Sequence, residues 1–277
     1  MPRLRQLADP RNDTTQFPLD LGAGCIYNIN MISFAPEVLM RIGPFPLTNT
    51  ILDTLLVDAL ILGTTYTVAK QKISIVPKAL QNLLELIVET FYELTQSVAG
   101  KRVTYIFPYF MTFFLFILLA NWTGLLPGVG TVGFFHKIGK EMEFIPLLRS
   151  ATSDINTTLG LALVSVVATH MLSIKHLGIK EYIARYVSLN PINLFVGVLE
   201  IVGEITKVIS LSFRLFGNVF AGEVVLGTVS SIFAFIFPLP FLLLEVVVGL
   251  VQALVFSMLT MAFMAILTTP HHAEAHE

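Results

Sequence analysis

Residues 210–223 read SLSFRLFGNVFAGE, a stretch that is typical of the middle of a membrane helix except for one permanent cation, Arg214. A guanidinium group does not release its proton to enter lipid, so it has to face a partner, water or a mobile anion. Arg214 is therefore the first candidate for a functional residue, and the apolar residues around it indicate an integral membrane protein.

The composition of the whole chain agrees with that interpretation. Of 277 residues, 55% are hydrophobic and 13% are charged, whereas a soluble domain carries roughly 25% charged residues. The balance of 17 basic and 19 acidic side chains gives no sign of a nucleic-acid surface. Cys25 is the single cysteine, which excludes an internal disulfide. No signal peptide, metal site or cofactor is predicted, and the tail HHAEAHE is expected to be a disordered end.

Five stretches are apolar enough and long enough to cross about 30 Å of hydrocarbon. The predicted spans are residues 50–69, 103–127, 155–174, 188–236 and 239–268. The last two are expected to form a helical hairpin around the turn that begins at Phe237, and the unusual length of the fourth span suggests that it is tilted. The predicted fold class is an all-α integral membrane protein.

Residues 72–98 differ from the five spans. Apolar residues recur there at helical spacing, while Glu85, Glu89 and Glu93 form another face. This pattern predicts one amphipathic helix that lies along the membrane surface or against a partner. A short re-entrant piece of the helical bundle is the alternative.

The orientation in the membrane follows from basic residues in the connecting segments, which collect in the cytoplasm. These residues are Lys70, Lys72, Lys78, Lys101, Arg102, Lys175, Lys180 and Arg185. With five crossings, residues 1–48 are predicted to be an extracytoplasmic segment, residues 49–269 a helical membrane domain and residues 270–277 a cytoplasmic tail.

Polar side chains in the fourth span share one face of the helix. At 100° per residue, four of them fall within about 40° of Arg214, namely Glu200, Lys207, Ser210 and Asn218. Glu223 lies about 180° away from Arg214, on the opposite side. In the fifth span, Glu245 and Gln252 are seven residues apart and share a face. Because neither carboxyl group can be buried in lipid alone, Glu223 and Glu245 are expected to line a water-filled path from the outer side.

Other polar residues allow two interpretations each. Glu200, Glu204 and Lys207 either line a path from the inner side or are interface residues that extend toward the headgroups. Asp154 and Asn156 either mark an outer mouth or cap the third span. Glycines are expected to permit close helix approach; they are Gly203, Gly217, Gly222 and Gly227.

The depths of two residues in the hairpin conflict. Arg214 lies 24 residues before Pro238, and Gln252 lies 14 residues after it. Two upright helices would place these residues about 15 Å apart in depth. A strongly tilted or curved fourth helix is therefore predicted.

Five segments together resemble one family. They are residues 121–127 (NWTGLLP), 154–158 (DINTT), 211–218 (LSFRLFGN), 221–223 (AGE) and 252–256 (QALVF). From about residue 45 to residue 268, the chain resembles subunit a of bacterial-type F-type ATP synthases. The core RLFGN carries most of the specificity of this resemblance.

The resemblance implies a stator subunit in the bacterial plasma membrane that is not an enzyme on its own. Beside a rotating ring of c subunits, and with the peripheral-stalk subunit b, it would carry protons between two aqueous half-channels. Arg214 would be the essential arginine, and Glu223, Glu245, Gln252 and Asn218 would line the outer path. In some members of the family, histidine occupies the position of Glu245. Because this chain has a glutamate there, protons are expected to pass between carboxyl groups.

The gating role has a physical basis. A rotor carboxyl group has to be neutral while it faces lipid, because exposing it ionised costs several kcal/mol. The charge of Arg214 favours the ionised form, so the proton leaves there. Because Arg214 does not deprotonate, it also prevents protons from passing directly between the half-channels.

Three alternatives remain at this point. Arg214 could form a structural ion pair with Glu200 or Glu204. A stand-alone proton-coupled secondary transporter would also carry intramembrane ionisable groups, but the duplicated halves typical of that class are not found. An intramembrane hydrolase would need a nucleophile or metal motif, and the chain contains neither HExxH nor GxSxG.

Overall fold

The computed structural model of the protein describes residues 36–42, 45–70, 79–126, 129, 132–138, 141–186, 191–232 and 238–269. Several predictions fall on other parts of the chain and lie outside the described residues. They concern Cys25, most of the segment 1–48, residues 72–78 of the amphipathic helix, residues 188–190 and 233–237, and the tail 270–277.

Helices dominate the described ranges. They contain seven α-helices: α1 (Asn49–Lys70), α2 (Ala79–Ala99), α3 (Val103–Thr123), α4 (Ile155–Leu177), α5 (Ile179–Tyr186), α6 (Pro191–Ile232) and α7 (Pro238–Leu267). Short 3₁₀ turns cover Gly100–Arg102 and Ala151–Ser153. The predicted all-helical membrane class is confirmed, and the observed bounds follow the predicted spans within a few residues.

Four stretches in the described ranges are long and apolar enough to cross a membrane. They are Asn49–Val68, Glu85–Thr123, Ile155–Leu177 and Pro238–Leu267. The long helix α6, which carries five ionisable side chains, is not among them. The protein is therefore a multi-pass membrane protein, while the count of five crossings and the direction of the termini stay predictions.

Two β-hairpins and one short helix were not predicted. Strands β1 (Val38–Ile42) and β2 (Phe45–Thr48) form an antiparallel hairpin before α1, and β3 (Gly133–Ile138) pairs with β4 (Glu141–Pro146) between α3 and α4. Such short strands give little periodic signal in the sequence. The eight-residue helix α5 was likewise interpreted as part of a loop.

The helix α2 has the two faces that its sequence predicts. Glu85, Glu89 and Glu93 are exposed, whereas the ring of Phe91 contacts Phe110 and Phe114 of α3, with centroid distances of 5.6 and 4.6 Å. The amphipathic character is therefore confirmed. Its position relative to the membrane surface stays a prediction.

The core lies where α3, α4, α6 and α7 meet, and aromatic and aliphatic side chains fill it. Hydroxyl groups also join the helices: Thr158 to Ser212 over 3.2 Å, and Ser165 to Thr260 over 2.8 Å. The hydroxyl of Ser173 donates to the carbonyl of Leu267 over 2.7 Å. Such bonds are common between membrane helices, where small polar side chains allow close packing.

One glycine brings α5 directly onto α6. A Cβ atom at Gly197 would lie 2.1 Å from the carbonyl oxygen of Tyr186 at the end of α5. In contrast, a Cβ atom at Gly203 or Gly217 would meet nothing within 4 Å, so the predicted role in close helix approach is wrong for these two residues within this chain. The contact at Gly197 holds the polar side chains of α5 beside α6.

The hairpin of α6 and α7 resolves most of the predicted depth conflict. Arg214 lies 18 residues before the end of α6, and Gln252 lies 14 residues after α7 begins. This offset of four residues corresponds to a difference in depth of about 6 Å between Arg214 and Gln252, rather than the predicted difference of about 15 Å. The tilt of α6 thus stays a prediction that rests on its 42 residues, about 63 Å of helix for roughly 30 Å of hydrocarbon.

Candidate functional site

Arg214 is exposed on α6, away from the acids of its own chain. Its Nη2 atom lies 3.5 Å from the hydroxyl of Ser210, one turn earlier. Among the described residues it forms no ion pair, because Glu200 pairs with Arg185, and Glu204 pairs with Lys207 over 2.7 Å. The structural ion pair offered as an alternative for Arg214 is therefore not formed, and its charge remains available to another molecule.

A cleft of about 200 Å³ contains both carboxyl groups of the predicted outer path. Glu223 from α6 and Glu245 from α7 line it, together with residues of α3 and Ser150. A water molecule occupies about 30 Å³ in the liquid, so a cleft of this size has room for several. The two carboxyl groups therefore share one cleft that is large enough to hold water.

Glu223 also has a basic partner that sequence analysis did not identify. The Nη2 atom of Arg149, which lies between β4 and the 3₁₀ turn before α4, is 3.2 Å from Oε2 of Glu223. The Arg149 and Glu223 side chains are 12% and 27% exposed. Nothing in the sequence links Arg149 to α6.

Glu245 occupies the space beside a glycine of α6. A Cβ atom at Gly222 would lie 2.1 Å from all three atoms of the Glu245 carboxylate. Gly222 does not merely bring two helices together, as the sequence suggested. It leaves a gap on α6 into which the acidic group of α7 fits.

The amides Asn218 and Gln252 meet across the hairpin. The Nδ2 group of Asn218 donates to Oε1 of Gln252 over 2.7 Å, and Gln252 is only 5% exposed. One turn away, Nδ2 of Asn121 donates to the carbonyl of Gly249 over 3.0 Å. These bonds hold α3, α6 and α7 together between Arg214 and the cleft.

Asp154 and Asn156 take the capping geometry. The Asp154 carboxylate accepts from the backbone N–H of Asn156 over 2.9 Å, which caps α4. Asp154 is 5% exposed and also accepts from the Thr50 hydroxyl over 3.3 Å. The capping interpretation is thus supported by the hydrogen bonds, and a part in an outer mouth stays a proposal.

A buried carboxylate ties α1 to the same region. Asp53 is 1% exposed, and its Oδ2 atom accepts from the Thr123 hydroxyl over 3.1 Å and from the backbone N–H of Ala151 over 2.9 Å. Nothing in the local sequence of α1 indicates these partners of Asp53. Its hydrogen bonds join α1, α3 and the 3₁₀ turn before α4.

Glu200, Glu204 and Lys207, which were predicted to line an inner path or to be interface residues, lie in a cluster with side chains of α4 and α5. Lys207 lies over the ring of Phe263, 4.4 Å from its centroid. Nε2 of His170 lies 3.6 Å from Oε2 of Glu204. Glu204 precedes Arg214 by ten residues, about 15 Å along α6.

These features define a multi-pass helical membrane protein whose longest helix carries an exposed cation between two groups of ionisable side chains. The family model described as ATP synthase A chain matches residues 51–265. The ATP synthase subunit a of Moorella thermoacetica is 30% identical over 235 residues, which cover 85% of this chain and 97% of that protein. The ATP synthase subunit a of Syntrophobacter fumaroxidans is 35% identical over 235 residues, with coverage of 83% and 88%. The chain belongs to the ATP synthase A chain family.

Proposed function

We propose that this chain is the stator subunit a of an F-type ATP synthase. It conducts protons through two offset half-channels to and from the carboxylates of a rotor c-ring, and Arg214 gates the exchange. The observation that carries the proposal is the exposed guanidinium of Arg214, since both acids of its own chain that could neutralise it are paired elsewhere. A lipid-facing arginine is costly, so a partner with a carboxylate is the expected neighbour.

The outer half-channel runs through the cleft that Glu223 and Glu245 share. Water in the cleft and the two carboxylates pass protons toward the amide pair of Asn218 and Gln252. The rotor carboxylate receives the proton at that depth. Asp154 and Asn156 lie near the start of α4, where they mark the outer mouth of this path.

The inner half-channel uses the opposite part of α6. Glu200, Glu204 and Lys207 lie on the inner side of Arg214, and Ser210 lies beside the guanidinium. A rotor carboxylate that arrives at Arg214 ionises and releases its proton to this side. Because Arg214 keeps its own proton, no direct transfer connects the two halves.

The proposed partners, transported ion and location follow from the same role. The partners are the c-ring, the peripheral-stalk subunit b and the rest of the ATP synthase, and the transported ion is H⁺. The chain lies in a bacterial plasma membrane with its amino terminus outside and its carboxyl terminus in the cytoplasm. The relatives from Moorella and Syntrophobacter, both described as ATP synthase subunit a, support this assembly.

Isolation of the chain with and without its partners tests the function. A stator subunit reconstituted alone in vesicles is expected to move no protons, and a tagged chain taken from its native membrane is expected to bring a c-ring and a soluble ATPase with it. A stand-alone secondary transporter would move solute by itself. Solute-dependent proton uptake by the pure chain would rule out the stator role.

Substitution of Gly222 tests the position of Glu245. In Gly222→Ala the new methyl group has to displace the Glu245 carboxylate, and we expect passive proton conduction through the membrane sector to fall about tenfold, a modest loss for a proton-transfer group. Proton entry into vesicles stripped of the soluble ATPase provides the measurement. Gly160→Ala is the matched control, because a Cβ atom there meets nothing within 4 Å. Equal conduction in both variants would contradict the assigned geometry.

A further inference from the structure

His170 of α4 lies between two side chains that can exchange protons, and each belongs to a different helix. Its Nδ1 atom is 3.1 Å from the hydroxyl of Tyr182 on α5. Its Nε2 atom is 3.6 Å from Oε2 of Glu204 on α6. Both ring nitrogens therefore face a polar partner, an arrangement that suits a group which accepts a proton on one side and releases it on the other.

The carboxylate of Glu204 does not depend on His170 for a charge partner. Glu204 already has a cationic partner, because Nζ of Lys207 lies 2.7 Å from its Oε1 atom. His170 is thus not needed to neutralise the carboxylate. Histidine is the side chain whose unperturbed charge change falls near neutral pH, which is why imidazoles commonly serve as proton shuttles in proteins.

The position of His170 along α4 suits access from the inner side. It lies seven residues before the end of α4 at Leu177, about 10 Å along the helix. That end carries Lys175 and His176 in its last turn. The His170 and Glu204 side chains are 22% and 13% exposed, so the cluster lies partly within the bundle.

We propose that His170 is a proton-relay residue of the inner half-channel, which passes protons between Tyr182 and Glu204. The inference rests on the proposed proton-conducting function. In one direction, Nδ1 accepts a proton from the Tyr182 hydroxyl, which takes a proton from water, and Nε2 releases its proton to the Glu204 carboxylate. The reverse sequence carries a proton outward from Glu204. The 3.6 Å separation needs one bridging water or a small rotation of either side chain.

Other groups near His170 belong to the same cluster. From α6 these are Glu204 with Lys207, and from α5 they are Tyr182 with the adjoining ring of Tyr186. Helix α7 also packs on α4, but its single ionisable residue, Glu245, lies toward the other end of the hairpin. A change in the pH profile upon substitution of His170 can therefore be assigned to this cluster.

The test compares two substitutions of His170 in the complete complex. His170→Gln keeps an amide able to bond Tyr182 and Glu204 but cannot carry a proton, so a relay is broken while a structural tie is preserved. We expect ATP-driven pumping and passive conduction to fall at least about tenfold in both His170→Gln and His170→Phe. The dependence of conduction on inner pH should also differ from that of the parent, because a proton-carrying group is lost.

Two further variants complete the design. His176→Gln changes an exposed histidine of the same helix, whose ring contacts Tyr105 at 4.6 Å, and should pump like the parent. Tyr182→Phe removes only the hydroxyl and should lower pumping even if the His170 variants fail to assemble. Parental rates and pH profile in His170→Gln, or parental rates in Tyr182→Phe, would overturn the relay. Arg214→Ala measured in parallel separates the outcomes, because coupled pumping in that variant would instead overturn the proposed function.

Discussion

Replacement of Arg214 by alanine is expected to abolish coupled, ATP-driven proton pumping by the reconstituted complex. Without the guanidinium, a rotor carboxyl group has no fixed cation that favours its ionised form as it passes α6. The direct route between the half-channels is also no longer blocked. Each proton moved through 100 mV supplies about 2.3 kcal/mol, and this energy produces rotation only when protons are forced around the ring.

Pumping and leak are measured together in this experiment. Fluorescence quenching of a pH dye in inverted vesicles reports ATP-driven pumping, and proton entry after removal of the soluble ATPase reports passive leak. Arg102→Ala is the matched control, since Arg102 donates to the Thr269 hydroxyl at the other end of the bundle. Undiminished coupled pumping by Arg214→Ala would be incompatible with the gate.

The double variant Glu223→Gln with Glu245→Gln is expected to lower proton conduction by about a hundredfold, the lower range for loss of a general acid or base. Both carboxyl groups line the same cleft, so either can serve as the proton carrier when the other is removed. Each single substitution should therefore cost much less than the pair. This more-than-additive loss distinguishes a shared path from two independent structural roles.

The measurement is the rate of passive conduction and of ATP synthesis in the parent, the two single variants and the double variant. Glu89→Gln, a neutralised carboxylate on the exposed face of α2, should behave like the parent. Substitution of Glu223 also removes its ion pair with Arg149. The variant Arg149→Gln therefore measures the effect of losing this ion pair alone. If the double variant conducts protons at the parental rate, the cleft is not the outer path.

The helices and the identity of the central cation could be predicted from the sequence because both depend on local composition. Apolar length fixed the approximate bounds of α1, α3, α4 and α7. Arg214 stood out since a guanidinium is unusual in such surroundings. In contrast, the eight residues of α5 are too few to show a reliable period, and the two β-hairpins are built from strands of four to six residues.

The residues that sequence analysis missed are those whose meaning depends on a distant partner. Arg149 becomes informative only beside Glu223, and the gap at Gly222 only beside Glu245. Likewise, the sequence does not show that the neighbours of His170 are Tyr182 and Glu204. Helical periodicity places residues on a face of their own helix, and it contains no information on which side chain of another helix lies opposite.

The depth conflict between Arg214 and Gln252 shows a related limit. The sequence count took Pro238 as the middle of the turn, although Pro238 is the first residue of α7. Because α6 ends at Ile232, the midpoint of the connection lies several residues earlier. The contact between Asn218 and Gln252 fixes the register directly.

The hydroxyl bonds from α4 to α6 and α7 have a mechanical consequence. In the proposed complex, a ring that turns against α6 would exert a sideways force on it, and α6 is joined to α4 by the bond from Thr158 to Ser212. Such bonds contribute about 0.6 kcal/mol each, less than the work of one proton crossing 100 mV. The stiffness that would keep α6 in place under torque therefore has to come mainly from the apolar side chains of α3, α4 and α7 that pack behind it.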